Sequence, residues 1–214
     1  MIKIVIADDH AIVREGLKRI IASADDLQVA GEAASGAEVM QHVRGSNFDV
    51  LVLDLSMPGR SGMELIKLVR GEKPKLRILV LSMHEELQYA VRAIKSGASG
   101  YLTKDSAPLQ LIQVLRKIAS GGAFISADVA EQLALGTIQG GETAAHEKLS
   151  DREFEVFGLI AVGVSVTDIA ERLNLSAKTI STHKANLMQK MGLHNQSELI
   201  RYAIKHGVTE PLEP

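Results

Sequence analysis

Two hydrophobic periods alternate along residues 1–120. Nearly all-apolar runs recur at Ile2 to Ala7, "DVLVLDL" (49–55) and "RILVLS" (77–82). Two shorter ones lie at "LQVAGEA" (27–33) and "SGYLTK" (99–104). Helically spaced stretches fall between and after them, around residues 12–21, 37–43, 62–69, 87–95 and 109–119. Five strand–helix units with apolar strands predict a parallel sheet covered on both faces, the α/β class in its (βα)5, doubly wound form. The pattern changes near residue 121. Residues 127–135 read as one short linker helix, and "GTIQGGETAAHE" (136–147) as a flexible tether that packs little. From Leu149 the spacing is helical throughout. "SDRE" (150–153) is a capping box, in which Ser150 caps an amide three residues on and Glu153 reaches back. A short helix over 167–173, a tight turn, a longer helix over 177–191 and a last one over 195–207 follow. This predicts a second, all-α, four-helix domain with helix-turn-helix geometry. The expected organisation is a domain over 1–121, a linker over 122–147 and a domain over 148–214.

Composition narrows the class. The 214 residues are 46% hydrophobic and 23% charged, enough apolar material for real cores. There is no cysteine, which excludes disulfides and thiolate metal sites. The start reaches acidic residues by position 8, without a signal peptide's apolar core, and no run is long enough to span a bilayer. A cytoplasmic protein without membrane contact is the expectation. The net charge of −2 decides nothing about nucleic acid.

In open parallel sheets, ligands sit at the carboxyl ends of strands, near a topological switch point. Strand one ends in Asp8-Asp9, strand three in Asp54, strand four in Ser82 and strand five in Thr103-Lys104. Three carboxylates gathered on one rim repel one another, and a divalent cation relieves the repulsion. Oxygen ligands without sulfur favour Mg²⁺. Lys104 then offers a second cation to a phosphoryl group and Ser82 a hydrogen-bond donor. Such a site transfers a phosphoryl group onto Asp54 by positioning and charge neutralisation.

These residues resemble the receiver domain of two-component response regulators: an acidic pair (Asp8, Asp9), a phosphoacceptor followed by "LSMPG" (Asp54), a Ser/Thr after strand four (Ser82), and an aromatic then a lysine (Tyr101, Lys104). The resemblance implies Mg²⁺ held by Asp9, Asp54 and the Ser56 carbonyl, with Asp8 acting through water. It also implies a switch in which Ser82 moves toward the phosphate and Tyr101 turns inward. A phosphatase of the haloacid dehalogenase type also uses a strand-end aspartate, but wants a second aspartate two residues on, where this chain has Ser56.

On the helix 177–191, Lys178, Ser181, Thr182, Lys184, Lys190 and partly His183 form the polar face, opposite Ile180, Leu187 and Met191. Cations bind phosphates and hydroxyls reach base edges. From 148 to 206 there are eight Lys/Arg and six Asp/Glu, so placement matters more than charge. "LSDREFEV", "DIAERLNLSAKTISTHKANLMQKMG" and "ELIRYAIKHG" resemble the LuxR-type DNA-binding domain, and the whole chain resembles the NarL/FixJ class of response regulators. Thr167 stands where many relatives carry a basic backbone-contacting residue. The resemblance places Thr179 and Ala185 with Lys178, Ser181, Thr182, His183, Lys184 and Lys190 on DNA. It places the dimer contact along Leu199, Tyr202 and Ala203 of the last helix. It implies a sensor histidine kinase as phosphoryl donor, double-stranded DNA, a homodimer formed on phosphorylation and RNA polymerase as partners. It implies no catalysis beyond the chain's own aspartyl phosphorylation and dephosphorylation.

Overall fold

The computed structural model describes residues 1–57, 62–83, 87–138 and 144–209. The chain divides into two compact units, one built chiefly from residues 1–85 and 90–130, the other from residue 131 onward.

In the first unit the five strands are β1 (Ile2–Ala7), β2 (Leu27–Ala33), β3 (Val50–Asp54), β4 (Arg77–Ser82) and β5 (Gly100–Thr103). The helices are α1 (Ala11–Ala22), α2 (Gly36–Gly45), α3 (Gly62–Glu72), α4 (Leu87–Lys95) and α5 (Ala107–Ala119). All strand pairs are parallel, in the order β2-β1-β3-β4-β5. The expected doubly wound sheet is therefore present. Its order reverses at β1, so the switch point lies between β1 and β3.

Every residue of β3 is buried, which is why its sequence runs apolar without alternation. Ile4, Ile6, Val52, Leu79 and Leu81 form one core with Leu17 and Ile21 of α1 and Leu111, Leu115 and Ile118 of α5. By the two-residue period, Val5, Leu51, Leu53 and Val80 face the opposite side. At the amino-terminal rim, Arg70 of α3 ties loops together by donating to the carbonyls of Pro74, Leu76 and Gly97 and to Ser99 Oγ. The carboxyl-terminal rim, left to chemistry, holds the candidate site.

The second unit contains α6 (Ala127–Ile138) in its larger part, then α7 (Asp151–Ala161), α8 (Val166–Arg172), α9 (Ala177–Met191) and α10 (Gln196–Lys205). Ser150, Ser165, Ser176 and Asn195 each cap a helix by accepting from the amide three residues on. The Ser150–Glu153 capping box is complete. α9 packs on α7 and α8, and α10 packs on α7. Phe154, Phe157, Ile169, Ile180, Leu187 and Leu199 fill the centre.

Two expectations need correction. α6 runs three residues past the expected end at 135. The tether was expected to pack little, yet Ala145–Lys148 form a 3-10 turn that buries His146 beside Tyr202. An imidazole with a hydroxyl partner can be buried where a bare polar run cannot. The rest of the expected tether, 139–143, lies outside the described residues, as do Pro58 and Gly59 of the Met-Pro-Gly turn.

The turn between α8 and α9 carries Asn174 at φ 51°, the one non-glycine residue with positive φ among those described. Asparagine tolerates that region, whereas a β-branched side chain clashes there. Asn174→Val should lower stability by about 1–2 kcal/mol, while Asn174→Gly should not. Urea unfolding followed by circular dichroism checks both.

Candidate functional site: an acidic cluster on the sheet and a polar helix face

Register brings the acidic residues together. Ala7 pairs with Leu53, so the next residues, Asp8 and Asp54, emerge side by side. Asp54 pairs with Leu81 and Ser82 with Thr103, which puts Ser82 and Lys104 one step further along the same rim. Lys104 N donates to Ser82 O at 2.8 Å and locks the two strand ends. Asp8, Asp54 and Ser82 are fully buried. Lys104 Nζ lies 2.7 Å from Asp8 Oδ2 and 2.9 Å from Asp54 Oδ2. Ser56 N donates to Asp54 Oδ1 at 3.1 Å. The ring of Tyr101 is buried in β5.

Burial pushes the Asp54 carboxyl above the usual carboxylate range, against the opposing hydrogen bond and charge of Lys104. Burial also works against the Lys104 ammonium, but its bonds to Asp8 and Asp54 outweigh this and raise its pKa. The pair is bound firmly, and still one ammonium does not offset all the carboxylate charge.

The donor set fits a hard divalent cation. Asp8, Asp9, His10 and Asp54 each offer an atom, all within 4.8 Å of one another. Asp8 Oδ2 and Asp9 Oδ1 are buried without a hydrogen bond of good geometry, although Lys104 and His10 stand close by. His10 was not among the expected residues. Its amide donates to Asp8 Oδ1, and its Nδ1 lies 3.0 Å from Asp9 Oδ1. Its only sequence signal is adjacency to the acidic pair.

On α9, Lys178, Ser181, Thr182 and Ala185 are exposed and form one stripe at helical spacing, and His183 and Lys184 lie partly covered beside it. Asn186 continues the stripe four residues after Thr182; the helical period could have identified it. Ser181 and Thr182 donate their hydroxyls back to the carbonyls of Ala177 and Lys178. Thr179 is engaged in the cap with Ser176, and Lys184 donates to Gln196. Thr167 is exposed in the first turn of α8.

Lys190 does not stand with this stripe. Its ammonium reaches both oxygens of the buried Glu153, at 2.9 and 2.7 Å. Burial raises the Glu153 carboxyl, but the Lys190 and Ser150 hydrogen bonds outweigh it and hold the pKa below the usual range. Leu199 and Ala203 were expected at a dimer contact, and both are instead fully buried in the unit's own core. Tyr202 stacks on His206 at 4.2 Å and meets the rings of His146 and Phe157. The outward face of α10 carries Ser197, Arg201 and Ile204.

Comparison with known proteins agrees with both halves. Residues 4–116 match the response regulator receiver domain family. Residues 147–203 match the bacterial regulatory proteins of the luxR family. The chain is 34% identical over 209 residues to response regulator UvrY of Escherichia coli strain K12, covering 97% of this chain and 96% of that one. It is 38% identical over 216 residues to the oxygen regulatory protein NreC of Staphylococcus epidermidis, covering 97% and 99%. Among solved structures, it resembles RcsB from Salmonella enterica serovar Typhimurium bound to a promoter in the presence of the phosphomimetic BeF3−. There the identity is 32%, the TM-score 0.65 and the coverage 94% and 97%.

Two outcomes follow from this geometry. In metal-free protein, folded Asp54 holds its proton to higher pH than the unfolded carboxyl near about 3.9. The folded state then binds more protons, so this contribution is present at low pH and lost as pH rises through the raised value. The stability of the native chain minus that of Asp54→Asn, measured by urea unfolding in chelator, should fall from about pH 4 toward neutrality. The second outcome separates two lysines. Lys178→Ala should reduce the slope of log DNA affinity against log salt by about one, without loss of stability. Lys190→Ala should leave that slope unchanged and cost about 1–3 kcal/mol of stability, because it strands a buried carboxylate.

Proposed function

The chain belongs to the response regulators of two-component systems that join a receiver domain to a LuxR-type DNA-binding domain, and from that premise we propose that it is a transcription factor switched by Mg²⁺-dependent phosphorylation of Asp54. The observation that carries this reading is the position of Lys104, whose ammonium lies 2.7 Å from Asp8 Oδ2 and 2.9 Å from Asp54 Oδ2, next to an Asp9 Oδ1 that is buried without a hydrogen bond. The donor is a sensor histidine kinase. An Asp54 oxygen attacks the phosphorus of its phosphohistidine, the N–P bond breaks, and the imidazole keeps the electron pair. Asp8, Asp9 and Asp54, with the Ser56 carbonyl, are the groups that would hold Mg²⁺, whose charge offsets that of the phosphoryl oxygens. Lys104 reaches those oxygens from the β5 side, and Ser82 donates to them from the end of β4. The chemistry is confined to gaining and losing this group, so the chain is not otherwise an enzyme.

The output is DNA binding through the exposed face of α9. Lys178 and Lys184 hold phosphates, and Ser181, Thr182, Ala185 and Asn186 lie toward base edges. The helix-turn-helix then reads paired half-sites as a dimer. With Leu199 and Ala203 used inside the unit, the dimer contact falls to the Ser197, Arg201 and Ile204 face of α10. RNA polymerase is the downstream partner. Among the described residues no helix is long and apolar enough to cross a membrane. Acting between a kinase and DNA, it would work in the cytoplasm.

Labelled acetyl phosphate with Mg²⁺ tests the reading. The full chain should accumulate stable label, and Asp54→Asn and Asp9→Ala should accumulate none. Turnover without accumulation would point to a phosphatase instead.

A further inference from the structure

The loop that carries Asp8 and Asp9 is gripped by a side chain outside the acidic cluster. Arg14, in the first turn of α1, donates from Nη1 to the Asp8 carbonyl oxygen at 2.7 Å. That carbonyl belongs to the peptide unit joining Asp8 to Asp9. Fixing its plane fixes how the two carboxylates face each other. Other bonds hold the same loop: Asp8 N donates to Ala33 O, and His10 N donates to Asp8 Oδ1.

Arg14 is itself held. Its Nε donates to Glu32 Oε2 at 3.2 Å, and Lys18 Nζ donates to the other Glu32 oxygen at 2.8 Å. Glu32 sits at the end of β2, just past an irregularity in the β1–β2 pairing. Ile4 pairs with Val29 but Val5 with Gly31, so Ala30 is the extra residue. The His42 ring lies where a side chain on Gly31 would be, and its Nε2 is 3.0 Å from the Glu32 carbonyl. A chain of contacts therefore runs from α2 through β2 and α1 to the acidic loop.

The charge arrangement is informative. A guanidinium this near a cation site would repel the cation. Here its charge is offset by Glu32, and it spends its donors on a backbone carbonyl rather than on Asp8 or Asp9 carboxylate oxygens. We infer that Arg14, braced by Glu32, is a positioning residue for divalent cation binding at Asp8 and Asp9. This rests on the cation site proposed above. Partners outside the ligand shell typically change metal affinity by about 10–100-fold when removed.

The sign of the effect separates positioning from charge. If Arg14 acted only through its charge, Arg14→Gln would tighten cation binding. If it positions the loop, Arg14→Gln weakens binding by about tenfold or more. Arg14→Lys should also weaken binding, because an ammonium lacks the planar fork that bonds a carbonyl and a carboxylate together. Mn²⁺ binding to the full chain, read by the electron paramagnetic resonance of the free ion, gives the affinities directly. Circular dichroism checks folding. Failure of the native chain to bind Mn²⁺ would overturn the cation site itself. Binding by the native chain with equal or tighter binding by Arg14→Gln would overturn the role of Arg14 alone. If Arg14→Gln does not fold, Glu32→Gln decides: loss of affinity that persists at about 1 M salt, where the Debye length is about 3 Å, supports the brace, and unchanged affinity overturns it.

Discussion

Repulsion among carboxylates governs the receiver unit. Asp8, Asp9 and Asp54 offer oxygens within 4.8 Å of one another. At such separations two unit charges cost about 3–4 kcal/mol at an effective dielectric of about 20. One lysine, even at 2.7 and 2.9 Å, supplies a single positive charge against three carboxylates, so the cluster keeps a formal excess of negative charge. Everything that holds the rim rigid therefore works against this strain. The fully buried β3 is such a restraint, as is the Lys104 N to Ser82 O bond. A sheet edge or a long loop could not keep the charges together. The central strands at the switch point can, because their backbones are paired on both sides.

The DNA-binding unit solves a different problem with few charges. Its excess of basic groups is small, so each cation's location decides its use. Lys190 secures the last turn of α9 to the first turn of α7 through Glu153. Glu153 also completes the capping box that starts α7. One buried carboxylate thus fixes the start of α7 and the far end of α9. The exposed stripe is left with Lys178 and, partly, Lys184. If this stripe meets DNA as proposed, phosphate contacts would be few and the salt dependence shallow, and discrimination between sequences would fall to small hydroxyl and amide groups.

Which features were legible in the sequence follows from range. Strand and helix periods are local, so the five strands, the helix-turn-helix and the caps at Ser150 and Ser176 could be read directly. The strand-end chemistry was legible because parallel topology forces strand ends onto one rim. Contacts between distant residues were not. Nothing in the spacing of α9 shows that Lys190 meets Glu153, thirty-seven positions away. Periodicity separates the faces of α10 but does not say which one packs on α7; a dimer contact along Leu199, Tyr202 and Ala203 rests on the resemblance alone, and the fold buries Leu199 and Ala203. His146 looked like tether because a polar residue among glycines and alanines has no apolar pattern; its burial depends on the Tyr202 hydroxyl.

The same distinction bears on how a phosphoryl group at Asp54 would be felt. It adds roughly −1.5 to −2 charges where Lys104 is already shared between two carboxylates. Lys104 cannot serve the new oxygens fully and keep both old bonds. Asp8 must then lose part of its partner, while Ser82 and the Ser56 amide gain acceptors. Ser82 is the last residue of β4 and Lys104 the first after β5, so a change in their side-chain bonds acts on the two segments that leave the sheet there. Asp8 is different: its backbone is held by Ala33 and Arg14 and cannot follow. On the proposed reading, the backbone at Asp8 stays pinned by Ala33 and Arg14, and the added charge would be met through the side-chain bonds of Ser82 and Lys104, whose strand ends remain joined by the Lys104 N to Ser82 O bond.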